Sequence, residues 1–141
     1  METKISCKIA PVHTSHPLLA ELIQEAMGNS APDKIQKVML EYQALDHFIV
    51  GYFEDLNLIG VIGIIKDDHD AQVIIKHIAI LSSHKSQGIG KKLVEDVLKR
   101  YSLVSLEAIT DQNAVNFYQK CGFSCHAFDG KHGTRYRCSL N

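Results

Sequence analysis

His77-Ile78-Ala79-Ile80-Leu81-Ser82-Ser83-His84-Lys85-Ser86-Gln87-Gly88-Ile89-Gly90-Lys91-Lys92-Leu93 begins as an apolar, β-branched run, breaks into a short polar loop, and continues through two glycines into a helical pattern. Strand, loop and helix start together read as a seat for a phosphate-bearing ligand. Gly88 and Gly90 carry no side chain where a backbone must come close to a ligand, and the first helical turn presents unpaired N–H groups at the positive end of the helix dipole. A pyrophosphate bound there is held mainly by main chain.

Glycine loops between a strand and a helix also serve dinucleotide and nucleoside triphosphate sites, and spacing separates these cases. The dinucleotide fingerprint needs a third glycine, but Gly90 is followed by Lys91, Lys92 and Leu93. A Walker loop needs Gly-Lys followed by Ser or Thr, with another glycine five residues earlier. Here Gly90-Lys91 is followed by Lys92, and position 85 is a lysine.

Lys85-Ser86-Gln87-Gly88-Ile89-Gly90 instead resembles the Gln/Arg-x-x-Gly-x-Gly/Ala loop of the GCN5-related N-acetyltransferases (GNAT), which bind the coenzyme A pyrophosphate at that loop. A second stretch, Asn113-Ala114-Val115-Asn116-Phe117-Tyr118-Gln119-Lys120-Cys121-Gly122-Phe123, is similar to the family's Asn-x-x-Ala/Val-x-x-Phe-Tyr-x-x-x-Gly-Phe motif and follows about one strand later. The resemblance covers nearly the whole chain, least specifically over residues 1–45. One departure is Lys85, where the family usually has Arg or Gln. Lysine keeps the positive charge but lacks the planar fork that grips a phosphate through two bonds.

Composition bounds the rest. The chain has 141 residues and a net charge of −1, enough for one domain with a real core (residues 1–141) and without the field that nucleic acid or anionic membrane would attract. No apolar run approaches the roughly 18 residues of a membrane span. Met1 to Lys8 lacks the apolar core of a signal peptide, so a cytoplasmic location is expected. The four cysteines, Cys7, Cys121, Cys125 and Cys138, form no metal-knuckle spacing and read as buried thiols. Asp67-Asp68-His69-Asp70 reads as a solvated turn rather than a metal site.

Along the chain, residues 5–10 read as a strand, and Ser15-His16-Pro17 as the cap and first turn of a helix that Gly28-Asn29 ends. A second helix runs from Pro32 to about Gln43. Residues 47–54 and 58–66 pair as a hairpin, and 72–81 is the fourth strand. The helix after the glycine loop carries Ile89, Leu93, Val94, Val97, Leu98 and Tyr101 on one face. Residues 103–108 form a fifth strand. A helix capped by Thr110 or Asp111 and stopped by Gly122 follows, and residues 123–128 and 134–140 close the chain as a hairpin. The order β-α-α-β-β-β-α-β-α-β-β gives a mixed α/β sheet, mostly antiparallel, with a parallel central pair joined by a right-handed crossover. The same order is that of the GNAT fold.

The resemblance implies an acetyl-CoA dependent N-acetyltransferase acting by direct attack of a primary amine. The pyrophosphate would sit on the N–H groups of Gln87, Gly88, Ile89, Gly90 and Lys91, with Lys85 beside it. The pantetheine arm would pair with the strand edge at Ile78, Ala79 and Ile80, against Asn113 and Phe117. A strand bulge in the family aims one N–H at the acetyl carbonyl, and by position that donor is Ile80. Tyr118 matches the family tyrosine that gives a proton to the leaving thiolate, although its spacing with Ala114, Phe117 and Cys121 equally suits a core aromatic. Asn113 equally suits a helix cap. Positions where some members carry a glutamate base hold Ile74 and Ile75. His77 is the nearest titratable group, with Glu107 or a water chain as competitors.

The acceptor pocket is expected between the N-terminal helices, the turn near Asp55 and the last hairpin near His132 and Arg135. Glu41, Asp46 and Asp55 could attract a cationic amine, though scattered surface acids have the same look. Whether that amine belongs to a small molecule or a peptide is open, as is acyl-chain preference. The last strands could also pair with a second copy, as happens in the family. A noncatalytic acyl-CoA binding module is the alternative reading.

Overall fold

The longest β-branched runs of the chain form the middle of one sheet. The structure, a computed structural model, describes residues 4–28, 31–66 and 73–141. Its elements are β1 (Cys7–Pro11), α1 (Leu19–Ala26), α2 (Pro32–Glu41), β2 (His47–Glu54), β3 (Asn57–Lys66), β4 (Val73–Ile80), α3 (Ile89–Arg100), β5 (Leu106–Thr110), α4 (Val115–Lys120), β6 (Ser124–Gly130) and β7 (Gly133–Leu140). The predicted Asp67–Asp70 turn, Gln72 and Asn29 lie outside the described residues.

The sheet order is β1-β2-β3-β4-β5-β7-β6, antiparallel except for β4 beside β5. One face packs on α3 and α4 through Ile62, Ile64, Leu93, Val97 and Leu106, all fully buried. The other packs on α1 and α2 through Leu19, Leu22, Ile23, Leu58 and Val61. Burial of each such side chain contributes about 1.5–3 kcal/mol. No helix among the described residues is long and apolar enough to cross a membrane.

Local chemistry moves several boundaries. Ser15 does not cap α1, because its N–H and hydroxyl both engage His13 Nδ1, at 3.1 and 2.7 Å. The resulting turn delays the helix to Leu19, with no side-chain cap. Asp55, at φ 53°, makes a two-residue turn with Leu56, so β3 starts at Asn57. The fifth strand starts at Leu106 rather than 103, because Ser102 turns the chain at φ 53° and the Leu103 N–H closes back onto the α3 residue Leu98, at 2.8 Å. Gly122 ends α4 at φ 95°, the left-handed conformation that glycine suits.

Two irregularities shape the centre. Opposite β3, Gly63 pairs with His77 and Ile64 with Ile75, so Lys76 is an extra residue in β4. This bulge changes the phase of the strand: Val73 and Ile75 face the α3 side before it, and Ile78 and Ile80 face that side after it. Second, among the described residues β4 and β5 are in register only at Ile74 and Glu107. Beyond that point the two strands are no longer registered, which opens a gap between the bulged half of β4 and the end of β5.

Candidate active site

The gap and the start of α3 form one cleft of about 710 Å³. Its wall includes Ile78, Ala79 and Ile80 of β4, Lys85, Gly88, Ile89, Gly90 and Lys91 of the loop and helix start, and Asn113, Phe117 and Tyr118 beside α4. These residues from two distant sequence motifs therefore share one cavity. Gln87, exposed on the loop, and His77 lie outside that wall.

Gly88 and Gly90 serve different purposes. Gly88 is the N-cap of α3 at φ 78°, a left-handed conformation costly for any residue with a Cβ, and no atom lies within 4 Å of where that Cβ would stand. Gly90 is buried, and a Cβ on it would come within 2.6 Å of the Phe117 ring. The second glycine is thus set by packing of α3 on α4. No side chain caps α3, so the N–H groups of its first turn point into the cleft mouth without a protein acceptor. Lys85, Lys91, Lys120 and His84 add cationic or hydrogen-bonding groups around that end. An uncapped helix start, left-handed glycine and ring of lysines fit a pyrophosphate.

Sequence reasoning missed His84, Ser86, Ala114, Lys120 and Cys121 as cleft residues. Lys120 and Cys121 were within reach, since they follow Phe117 at helical spacing. His84 was not: its Nε2 meets Glu54 Oε1 at 2.7 Å across thirty residues of sequence and its Nδ1 meets Ser83 Oγ at 2.7 Å, which fixes the loop to β2. Lys85 lies 3.5 Å from Glu25 of α1.

The strand edge carries directional information. Leu81 N–H donates to Ile59 C=O at 2.9 Å, toward β3. Because neighbouring strand residues point their backbone groups to opposite sides, Ile80 and Ile78 turn theirs toward the gap. The Asn113 question is also answered by geometry: Asp111 Oδ1 accepts from the N–H groups of Asn113 and Ala114, at 2.9 and 3.0 Å. Asp111 thus braces the turn that leads into α4, which has no side-chain cap, and the Asn113 side chain is left at the cleft.

Tyr118 is buried, edge-on to Phe117 and Phe123 at ring separations of 5.1 and 5.2 Å. Among the described residues nothing hydrogen-bonds its hydroxyl, and no fully buried side-chain oxygen is left unsatisfied, so the oxygen keeps contact with the cleft. Burial, reinforced by the thiols of Cys138, Cys121 and Cys125, raises its pKa far above the usual phenol range. It stays protonated. Burial also raises the Cys121 thiol, which keeps it from being a ready thiolate.

His77 faces the opposite side of the sheet. Its Nδ1 is 2.6 Å from the Tyr42 hydroxyl, and its pKa is pushed down to about 4, first by burial and then by the Lys76 charge. Tyr42, its own pKa raised by burial, is the donor, so the neutral ring carries its proton on Nε2. The acids expected to attract an amine have other partners. Glu41 is ion-paired with Lys76, whose Nζ also reaches His47 Nε2 at 3.1 Å, and Asp46 holds His47 Nδ1 at 2.6 Å. Asp55 accepts from the Ser6 N–H at 3.1 Å.

A mixed sheet opened between its parallel strands, with an uncapped, lysine-ringed helix start at one end and a protonated phenol along its wall, has the form of an acyltransferase of the coenzyme A type. Residues 16–133 match the GNAT acetyltransferase domain, and the chain belongs to that family. It is 33% identical over 94 residues to an N-acetyltransferase encoded in the lysA 3′ region of Bacillus methanolicus, covering 66% of this chain and 75% of that protein. A Bacillus subtilis acetyltransferase solved with CoA superimposes with a TM-score of 0.76 at 23% identity, covering 96% of this chain and 99% of the other. An aminoglycoside 6′-N-acetyltransferase, also solved with CoA, gives a TM-score of 0.81 at 15% identity, covering 94% and 96%.

Proposed function

We propose that the protein transfers an acetyl group from acetyl-CoA to a primary amine by direct attack, with Tyr118 as the general acid. The observation that carries this reading is the Tyr118 hydroxyl, unpartnered and protonated, opening on the same cleft as the uncapped start of α3. Bound acetyl-CoA supplies the acetyl group as a thioester. The first-turn N–H groups of α3, with Lys85, Lys91 and Lys120, hold the pyrophosphate. The edge of β4 from Ile78 to Ile80 holds the amide-bearing arm, and the Ile80 N–H polarises the thioester carbonyl.

The steps balance. A neutral amine nitrogen forms the new C–N bond, the C–S bond breaks, and Tyr118 protonates the leaving sulfur and recovers its proton through water. The amine gives up one proton to solvent. His77, with Nδ1 occupied by Tyr42, serves this reading as a positioning residue behind the bulge rather than as the base. A raised Cys121 pKa favours direct attack over an acyl-cysteine.

Calorimetric titration with acetyl-CoA, CoA and NAD tests the seat, followed by thiol release over a panel of amines. Binding of both CoA forms without NAD, together with amine-dependent thiol release, is the expected outcome. Tight acetyl-CoA binding with no release over the panel would favour a noncatalytic acyl-CoA binding protein.

A further inference from the structure

The four thiols, all expected to be buried, stand in different surroundings. Cys7 is exposed on β1, Cys121 at the end of α4 lines the cofactor cleft, Cys125 is partly buried on the edge strand β6, and Cys138 is fully buried on β7. Cys125 and Cys138 lie directly opposite one another across the β6–β7 hairpin. Both turn to the α3 side of the sheet, into the cluster that holds Tyr118.

The turn decides what kind of pair they form. Gly130 and Gly133 close a two-residue turn of Lys131 and His132 and so make a hydrogen-bonded pair, after which non-bonded and bonded pairs alternate along the hairpin. The register runs back without a bulge, and Cys125 and Cys138 fall at a non-bonded pair. Such pairs bring their Cα atoms to about 4.5 Å, within the roughly 4.4–6.8 Å that a disulfide spans. The two thiols also interact: burial first, and then the Cys125 thiol, push Cys138 up to about 12. Cys121 instead feels the charges of Lys91 and Glu95 on α3.

We infer that Cys125 and Cys138 are a peroxide-sensitive dithiol, which closes to a cross-strand disulfide behind Tyr118 and slows acetyl transfer. The disulfide follows from the β6–β7 pairing alone; its effect on transfer rests on the general-acid reading above. Cys125, the more exposed of the two, reacts first. Its thiol reduces hydrogen peroxide, releasing one water and leaving a sulfenic acid, and the Cys138 thiol displaces that oxygen as a second water. Two S–H bonds and the O–O bond break, one S–S bond and two waters form, and each sulfur gives up one electron. The raised pKa of Cys138 slows the second step, and its fixed place opposite Cys125 offsets this. Bonding then draws the two sulfurs together inside a close-packed cluster. Tyr118 packs in that cluster and lies edge-on to Phe123, the residue leading into β6, so its hydroxyl moves with them. A displacement of about 1 Å at an acting group can cost about 100-fold in rate.

The test treats the full chain with hydrogen peroxide, removes the excess with catalase, and maps the peptides without reduction. In parallel, kcat is read by thiol release from acetyl-CoA with an amine from the panel above, before and after treatment. One intrachain link between Cys125 and Cys138 is expected, with kcat lowered about tenfold or more and restored by dithiothreitol. Cys125→Ser and, independently, Cys138→Ala should each hold the ratio of treated to untreated kcat near one. Cys125 and Cys138 left free while Cys7 or Cys121 is oxidised, a link that leaves kcat unchanged, or the same loss of kcat in both variants would each overturn the inference. If no amine releases thiol, the transferase reading falls and the effect on transfer with it, while the peptide map still decides the disulfide.

Discussion

The ring of Phe117 lies directly over the Cα of Gly90, so close that a Cβ at position 90 would sit 2.6 Å from its edge. One contact thereby joins the two motifs of the cofactor cleft. Gly90→Ala should gain up to about 1 kcal/mol of helix propensity. Overpacking a fitted contact costs about 1–3 kcal/mol, so the clash wins or the ring moves. Either way the cleft wall shifts, and acetyl-CoA affinity should fall by about tenfold, roughly 1.4 kcal/mol. Adding Phe117→Leu should restore part of the stability lost in Gly90→Ala. Urea unfolding and calorimetry on the double-mutant cycle measure both, and strictly additive effects would show that the contact does not couple the motifs.

Tyr118→Phe keeps the ring packed against Phe117 and Phe123 and removes only the hydroxyl. As a general acid, its loss should lower kcat about 100-fold or more with little change in acetyl-CoA affinity. Were the ring only a packing element, kcat would stay near that of the parent protein, since nothing among the described residues hydrogen-bonds that oxygen.

Lys85 is largely exposed and shares its charge with Glu25 at 3.5 Å. Its contact with a pyrophosphate is therefore a screened point charge rather than a fork. Lys85→Ala should weaken CoA binding about 3- to 10-fold at low salt and much less at 0.5 M salt, where charges are screened within about 5 Å. Lys85→Arg should bind at least as tightly as the parent. Titration at two ionic strengths decides it, and a salt-independent loss would mean that Lys85 acts through loop conformation.

The course of the chain was legible where local chemistry repeats. The branched runs of β2 to β4, the stripe Ile89-Leu93-Val94-Val97 and the helix stop at Gly122 each follow from period, propensity or backbone sterics, and each is present. The cleft beside α3 was legible because most of its lining sits in two contiguous motifs. A second depression was not, since its residues Ile74, Glu107 and Arg137 come from three strands and meet only through the β4–β5 and β5–β7 pairings. Likewise no local signal marks Lys76 as the bulged residue. The bulge lies beside Gly63, where the Tyr42 hydroxyl fills the space a side chain would need, 2.0 Å from the absent Cβ. Glu41 and Asp46 have partners of two kinds: Lys76, which pairs with Glu41, comes from a distant strand that no local pattern announces, whereas the adjacent His47 bonds Asp46.

That network makes a pH prediction. His77 titrates near 4 in the folded protein, against about 6.5 in an unfolded chain, so the unfolded state binds the proton more readily between those values. Stability from this group is complete above pH 6.5 and is lost as pH falls toward 4. The linkage is worth at most about 3 kcal/mol, and about 1–2 kcal/mol at a partly solvated ring. Urea unfolding at pH 7.5 and pH 5 should show the decline, and His77→Gln, whose carbonyl can still accept from Tyr42, should flatten it. At neutral pH the same substitution should leave kcat within about threefold if His77 only supports the bulge, whereas a base would cost about 100-fold or more. A parent protein whose stability does not fall from pH 7.5 to pH 5 would show that the Tyr42–His77 hydrogen bond does not hold the imidazole neutral.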